Sequence, residues 1–266
     1  MLSRIFIFLL ISLSCQTGEL TVTGNLPSNL KEVSAIEITS KSDLIWVIED
    51  AGNKNILYGL NQQGKIIKEL TITNAKNRDW EDLTSDKDGN IYIGDFGNNS
   101  GKRNEFTIYK IKNPEQSDQK ANAEIINFVL PKDIKSKNFE AFFLHNNNFY
   151  LFSKGRKKEA LLKVPNVIGN HTAQLITTFN LPKKNNKVTS ADISEDGKTI
   201  ILLNHDKVWE LTNFTDDNFF NGKSTSIDFE HNSQKEGICF AKNKNLFITD
   251  ERNKSSGGNI YLLNLK

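Results

Sequence analysis

One pattern recurs five times along this chain and limits what it can fold into: a polar or acidic opening that runs directly into an apolar stretch. It is clearest at Arg78-Asp79-Trp80-Glu81-Asp82-Leu83. Glu140-Ala141-Phe142 and Glu236-Gly237-Ile238 repeat it. Ala191-Asp192-Ile193 carries the acid one place later, and Ser34-Ala35-Ile36 has Glu32 two places earlier. The aligned apolar positions are 36, 83, 142, 193 and 238. They lie about 45–60 residues apart, a period that marks a repeat architecture.

Two more apolar runs follow each opening, and a third follows all but the last. The second runs are 44–48, 91–93, 148–152, 199–203 and 246–248. The third are 56–58, 106–109, 160–164, 208–211 and 260–263. Four closing runs follow at 66–72, 125–130, 175–181 and 225–229. Asp88-Gly89-Asn90 and Glu195-Asp196-Gly197 separate first from second runs as hairpin turns do. Four short strands per repeat, with no helical period, predict an all-β fold: a β-propeller of four-stranded blades. The fifth repeat lacks its closing strand because the sequence ends at Lys266. Glu19-Leu20-Thr21-Val22-Thr23 is a spare strand at the other end. It is expected to complete the last blade and close the ring, which removes an open sheet edge. The count is then five blades, or six if one long repeat hides two small ones. The 266 residues suffice for one such domain over 19–266.

These residues also carry a resemblance. Arg78 to Leu83, Gly94-Asp95-Phe96-Gly97-Asn98-Asn99, Phe139-Glu140-Ala141-Phe142, Val188 to Ile193 and Lys235-Glu236-Gly237-Ile238 resemble a bacterial family of exported propeller proteins of unassigned activity. The resemblance covers nearly the whole mature chain. Its most specific part is the Trp-Glu-Asp and Gly-Asp-x-Gly-Asn-Asn pair. More distantly the chain is similar to phytase, esterase-like and lactonase-type propellers. Their catalytic residues do not map here position by position, so none is carried over.

The N-terminus reads as a targeting segment. Arg4 precedes the apolar run 5–11, which is too short to span a bilayer. Cys15 stands where a signal peptidase would cut, with Ser12 at the usually aliphatic place three residues before it. The reading is a signal peptide over 1–14, lipidation at Cys15 and a tether over 15–18; ordinary cleavage leaving a free thiol is the alternative. An acyl chain would hold the domain at a membrane, with the periplasmic face expected. Cys239 is the only other cysteine, so there is no disulfide framework, and its apolar neighbours place it in the core. The near-neutral net charge of +2 gives no basic field for nucleic acid. A monomer is expected.

Propeller topology predicts where side chains meet. Inner strands start, and second strands end, on one face. That brings together Glu32, Glu81, Asp82, Glu140, Asp192 and Glu236 with Glu49, Asp50, Asp95, Lys154, His205, Asp250, Glu251 and Arg252. Converging carboxylates repel, so such a funnel must take up protons, recruit cations or hold a metal. Calcium suits it, having hard oxygen ligands and tolerant geometry. The candidate ligands are Glu81, Glu140 and Glu236, which share one register, with Glu32 and Asp192 offset from it. Trp80, Asp82, Asp95, Arg103, Lys154, His205 and Asp250 are candidate ligand-contacting residues. No Gly-x-Ser-x-Gly, His-Glu-x-x-His or phosphate-cradling loop occurs. Two function classes follow: a module binding a cation together with a small-molecule or protein ligand, or a calcium-dependent hydrolase of phosphoesters, lactones or esters. A glycosidase is a weaker third, because nothing in the sequence fixes a carboxylate separation.

Overall fold

The structure is a computed structural model, and it describes residues 18–155, 158–182, 187–254 and 256–265. The targeting segment and Cys15 lie outside the described residues, as does the middle of the basic run after Lys154. Among the described residues no helix is long and apolar enough to cross a membrane.

Five sheets form five blades. Strand β1 (Thr21–Asn25) comes first in the chain. Blade 1 contains β2 (Val33–Glu37), β3 (Ile45–Glu49), β4 (Ile56–Leu60) and β5 (Ile66–Ile72). Blade 2 contains β6 (Trp80–Ser85), β7 (Ile91–Asp95), β8 (Glu105–Ile111) and, after the short β9 (Lys120–Ala121), β10 (Glu124–Val129). Blade 3 contains β11 (Phe139–His145), β12 (Asn148–Ser153), β13 (Glu159–Pro165) and, after β14 (Gly169–Thr172), β15 (Gln174–Phe179). Blade 4 contains β16 (Ser190–Ile193), β17 (Thr199–Leu203), β18 (Lys207–Thr212) and β19 (Lys223–Asp228). Blade 5 contains β20 (Lys235–Phe240), β21 (Asn245–Asp250) and β22 (Asn259–Asn264). Its fourth strand is β1, antiparallel to β22 with Thr21 opposite Leu262 and Asn25 opposite Asn259. The N-terminal strand therefore closes the ring as expected, two residues further along than the sequence pattern placed it.

Two strands were not legible in the sequence. β9 adds in parallel to the outer strand of blade 1, and β14 does the same to blade 2. Each is the connection between the third and fourth strands of the following blade, reaching back one blade. They cover two sheet edges that would otherwise be open.

The core is divided between the blades. Phe106, Phe128, Phe142 and Phe149 fill the space between blades 2 and 3. Phe143, Phe152, Trp209 and Phe219 fill that between 3 and 4. Trp46 and Trp80 pack between 1 and 2, and buried Cys239 between 5 and 1. Leu20 joins Ile238 and Tyr261 between 4 and 5. Flat aromatic and branched side chains suit two sheet faces that pack against each other.

Side chains also cross from one inner strand to the next and satisfy backbone groups that face the axis. Ser34 Oγ donates to the Trp80 carbonyl, and Thr189 Oγ1 to that of Lys235. Asp82 accepts from Phe142 N and Ala191 N, joining three blades. Asp192 accepts from Phe240 N, as Thr84 accepts from Leu144 N. These equivalences correct one register. Ala191, not Ile193, is the partner of Leu83 and Phe142, so Thr189 holds the place of Glu81 and Asp192 lies deeper.

Candidate functional site

Four of the five inner strands carry a one-residue irregularity near their start. It falls between Val33 and Ala35, Trp80 and Asp82, Phe139 and Ala141, and Lys235 and Gly237. The extra residues are Ser34, Glu81, Glu140 and Glu236. A bulge re-aims its side chain, and here three of the four are glutamates. Trp80 lies opposite Asp95, Val33 opposite Glu49 and Lys235 opposite Asp250. Strand starts and second-strand ends thus share one face.

Asp50, Asp79 and Glu81 come together there, each offering a carboxylate oxygen within 4.8 Å of the others. Asp50 follows β3, Asp79 precedes β6 and Glu81 is the β6 bulge. Asn77 holds the loops in place: its Nδ2 donates to the Glu49 and Asp50 carbonyls at 2.8 and 2.9 Å, and its Oδ1 accepts from Trp80 N. Glu81 is 7% exposed, and its Oε1 is buried without a hydrogen-bond partner. Gly97 forms the wall. A Cβ there would sit 2.0 Å from Glu81 Oε1 and 2.4 Å from Asp79 Cγ.

Burial raises the Glu81 pKa well above the ordinary range, and Glu140, Asp50 and Asp79 add to the rise. Burial and Asp50 raise Asp79 to about 6. Burial raises Glu140 to about 7, with Lys154 opposing and Glu236 adding. Burial, then Glu236, Asp50 and Glu32, raise Glu251 to about 8. The carboxylates therefore act on one another across the face, with more negative charge than the local cations neutralise.

Lys154 answers part of that charge. Its Nζ bonds to Glu140 Oε2 and lies 4.0 Å from Glu236 Oε2. Glu236 Oε1 meets His205 Nε2 at 3.2 Å, and Asn138 Nδ2 donates to Glu140 Oε1 at 2.7 Å. The three register-related glutamates thus divide: Glu81 faces Asp50 and Asp79, while Glu140 and Glu236 face Lys154. Exposed Glu32 accepts from Asn53 Nδ2.

The other candidates are deeply embedded. Trp80 is fully buried against Tyr109. Asp82 is fully buried and accepts bonds from Leu83 N, Phe142 N, Ser190 Oγ and Ala191 N. Asp192 accepts from Ile193 N and Phe240 N. Asp250 is fully buried and accepts from Asn259 N and the Tyr261 hydroxyl. Arg103 pairs with Asp95 at 2.8 Å and donates to the Asp95 and Gly97 carbonyls. Asp95 and Arg103 therefore shape the loop that carries Gly97. Asp79 was not singled out from the sequence; its place two residues before a bulged Glu is the signal that could have found it.

A family model described as SdiA-regulated matches residues 13–255. The chain belongs to the SdiA-regulated family. No curated protein matches the sequence. Among solved structures this member of the SdiA-regulated family is similar to one titled for the nidogen/laminin complex, at 12% identity and TM-score 0.51. That match covers 87% of this chain and 84% of the other. A luciferin-regenerating enzyme matches at 13% identity and TM-score 0.51, covering 87% of this chain and 77% of the other. At these identities the likeness shows the propeller fold alone.

Proposed function

We propose that this protein binds a divalent cation, calcium by preference, through Asp50, Asp79 and Glu81. The observation that carries the reading is Glu81 Oε1. A buried carboxylate oxygen without a partner is costly, and a cation would supply the missing interaction. The donors are all oxygens, as calcium prefers, and Asp50 and Asp79 are only half-buried, so water could complete the coordination. Calcium would tie blade 1 to blade 2, since Asp50 belongs to one and Asp79 and Glu81 to the other. Glu32, Glu140, Lys154, Glu236, His205 and Glu251 would then form the rest of the funnel, which receives a small-molecule or protein ligand.

We infer a location outside the cytoplasm from the N-terminal targeting segment. Lipidated at Cys15, it would be held in the bacterial cell envelope on the periplasmic side, acting as a monomer without nucleic acid. A calcium-dependent hydrolase is the second reading. Glu140, held near neutrality beside Glu81, suits a base that activates water. Equilibrium dialysis against radioactive calcium, followed by phosphoester, lactone and ester substrates with and without calcium, tests both. One bound calcium without turnover supports the binding module. Calcium-dependent turnover lost in Glu140→Gln supports the hydrolase, and no bound calcium defeats both.

A further inference from the structure

The loop leading into blade 5 carries a second group of reactive side chains that the cation site does not use. Lys235 opens β20 and is fully buried. Its Nζ lies 2.9 Å from Ser233 Oγ, 3.1 Å from His231 Nδ1, 3.2 Å from the His205 carbonyl and 3.3 Å from the His231 carbonyl. The rings of Phe229 and Tyr261 enclose it, with centroids at 5.2 and 5.8 Å. Its hydrogen-bond partners among the described residues are neutral oxygens and an imidazole nitrogen, and the nearest acids, Asp206 and Asp250, act only at longer range.

Burial pushes the Lys235 amine down to about 8, with Asp250 and Asp206 opposing, so the neutral form is within reach near neutral pH. A neutral amine has two N–H donors and one lone pair. His231 Nδ1 and the His205 and His231 carbonyls offer three acceptors for those two protons. The lone pair is then free for the Ser233 hydroxyl. Ser233 is half-buried and lies between Lys235 and the surface. The Tyr261 hydroxyl, fixed on Asp250 Oδ2 at 2.7 Å, stands beside Ser233. His205 also contacts Glu236, which sets this group at the edge of the acidic funnel.

We propose that Ser233 and Lys235 are a nucleophile and its general base, and that the protein accepts the acyl group of small esters or lactones on Ser233. The Ser233 Oγ–C bond forms as the hydroxyl proton passes to Lys235 Nζ. The ester C–O bond breaks, and the alcohol leaves with the proton from the Lys235 ammonium. Water then attacks the acyl-serine, giving a proton to Lys235; the acyl C–Oγ bond breaks, the carboxylic acid leaves, and Ser233 Oγ takes the proton back from Lys235. Base assistance of this kind contributes about 100-fold or more.

The test uses a fluorophosphonate ester on the full chain in the presence of EDTA, with peptide mass spectrometry to locate the adduct. The expected result is one adduct on Ser233, absent in Ser233→Ala and formed about 100-fold more slowly in Lys235→Met. Circular dichroism checks that the Lys235 variant is folded, and Ser233→Ala, a change at a half-buried position, decides the matter if it is not. No adduct on wild type, or equal labelling of Ser233→Ala, overturns the proposal. Because EDTA is present, failure here leaves the calcium reading intact, and failure of calcium binding leaves this result intact.

Discussion

Replacing Glu81 by Gln should move stability in opposite directions with and without calcium. The substitution keeps the shape and removes the charge. Without calcium, the Glu81 carboxyl is buried beside Glu140, Asp50 and Asp79, which oppose its ionisation, and one oxygen has no partner. An unsatisfied buried acceptor costs about 1–3 kcal/mol. The Gln amide can donate to a neighbouring carboxylate, so the apo variant should gain about that much. For a domain of this size, 1 kcal/mol shifts Tm by about 2–4 °C, giving a rise of about 2–12 °C. With calcium the order reverses. A wild type held at 100 times its Kd gains about 2.7 kcal/mol, and the variant loses most of that increment. The assay is a pair of thermal melts at pH 8, one in EDTA and one in calcium. A variant that melts below wild type in EDTA yet keeps the full calcium increment would refute the reasoning. Glu81 would then be a structural acid with a local role.

Gly97→Ala places a methyl against Glu81 Oε1 and Asp79 Cγ, so calcium affinity should fall at least tenfold by calorimetry while far-ultraviolet circular dichroism is unchanged. The apo protein should lose stability as pH rises. Asp79, Glu140 and Glu251 have folded pKa values near 6, 7 and 8 against ordinary values of 3.8, 4.5 and 4.5. A carboxyl whose pKa is raised on folding contributes stability that is complete below pH about 4 and lost as pH passes its folded value. Denaturant midpoints in EDTA should therefore decline between pH 5 and 8, and added calcium should flatten the curve; a midpoint that climbs over this range contradicts it. Deleting residues through Asn25 removes the strand that pairs with β22 and exposes Tyr261 and Leu263, so the truncation should aggregate or lose several kcal/mol. Cys15→Ala should release the protein from membranes and abolish lipid labelling; unchanged fractionation contradicts the anchor.

The blades were legible in the sequence because each repeats the same apolar spacing, and the N-terminal strand because the last repeat lacked one. The parallel additions β9 and β14 were not legible. They pair short polar stretches across blades, and periodicity reports only which face a strand buries. Blade 4 misled the alignment by two positions. Asp192 looks like the bulged acid, yet Thr189 holds that place and makes the bond that Ser34 makes in blade 1. The site was half legible for the same reason. Register finds residues that recur, and so it found Glu81, Glu140 and Glu236. Topology put Asp50 on the same face, but the places of Asp50 and Asp79 are held in other blades by residues as different as Lys154 and Asn138, so no recurrence marked the pair as partners of Glu81. Arg103 and Asp95 carried a strong motif, but their chemistry is spent on shaping the Gly97 loop.

Titration calorimetry with calcium at pH 7, run in two buffers of different ionisation enthalpy, tests the cation site most directly. Metal binding requires deprotonated ligands, so protons held by the raised carboxyls must leave as calcium enters. One calcium per chain is expected, with an apparent enthalpy that differs between buffers, and with both binding and buffer dependence lost in Glu81→Gln. Absence of binding heat in both buffers, together with no change in Tm, would contradict the account.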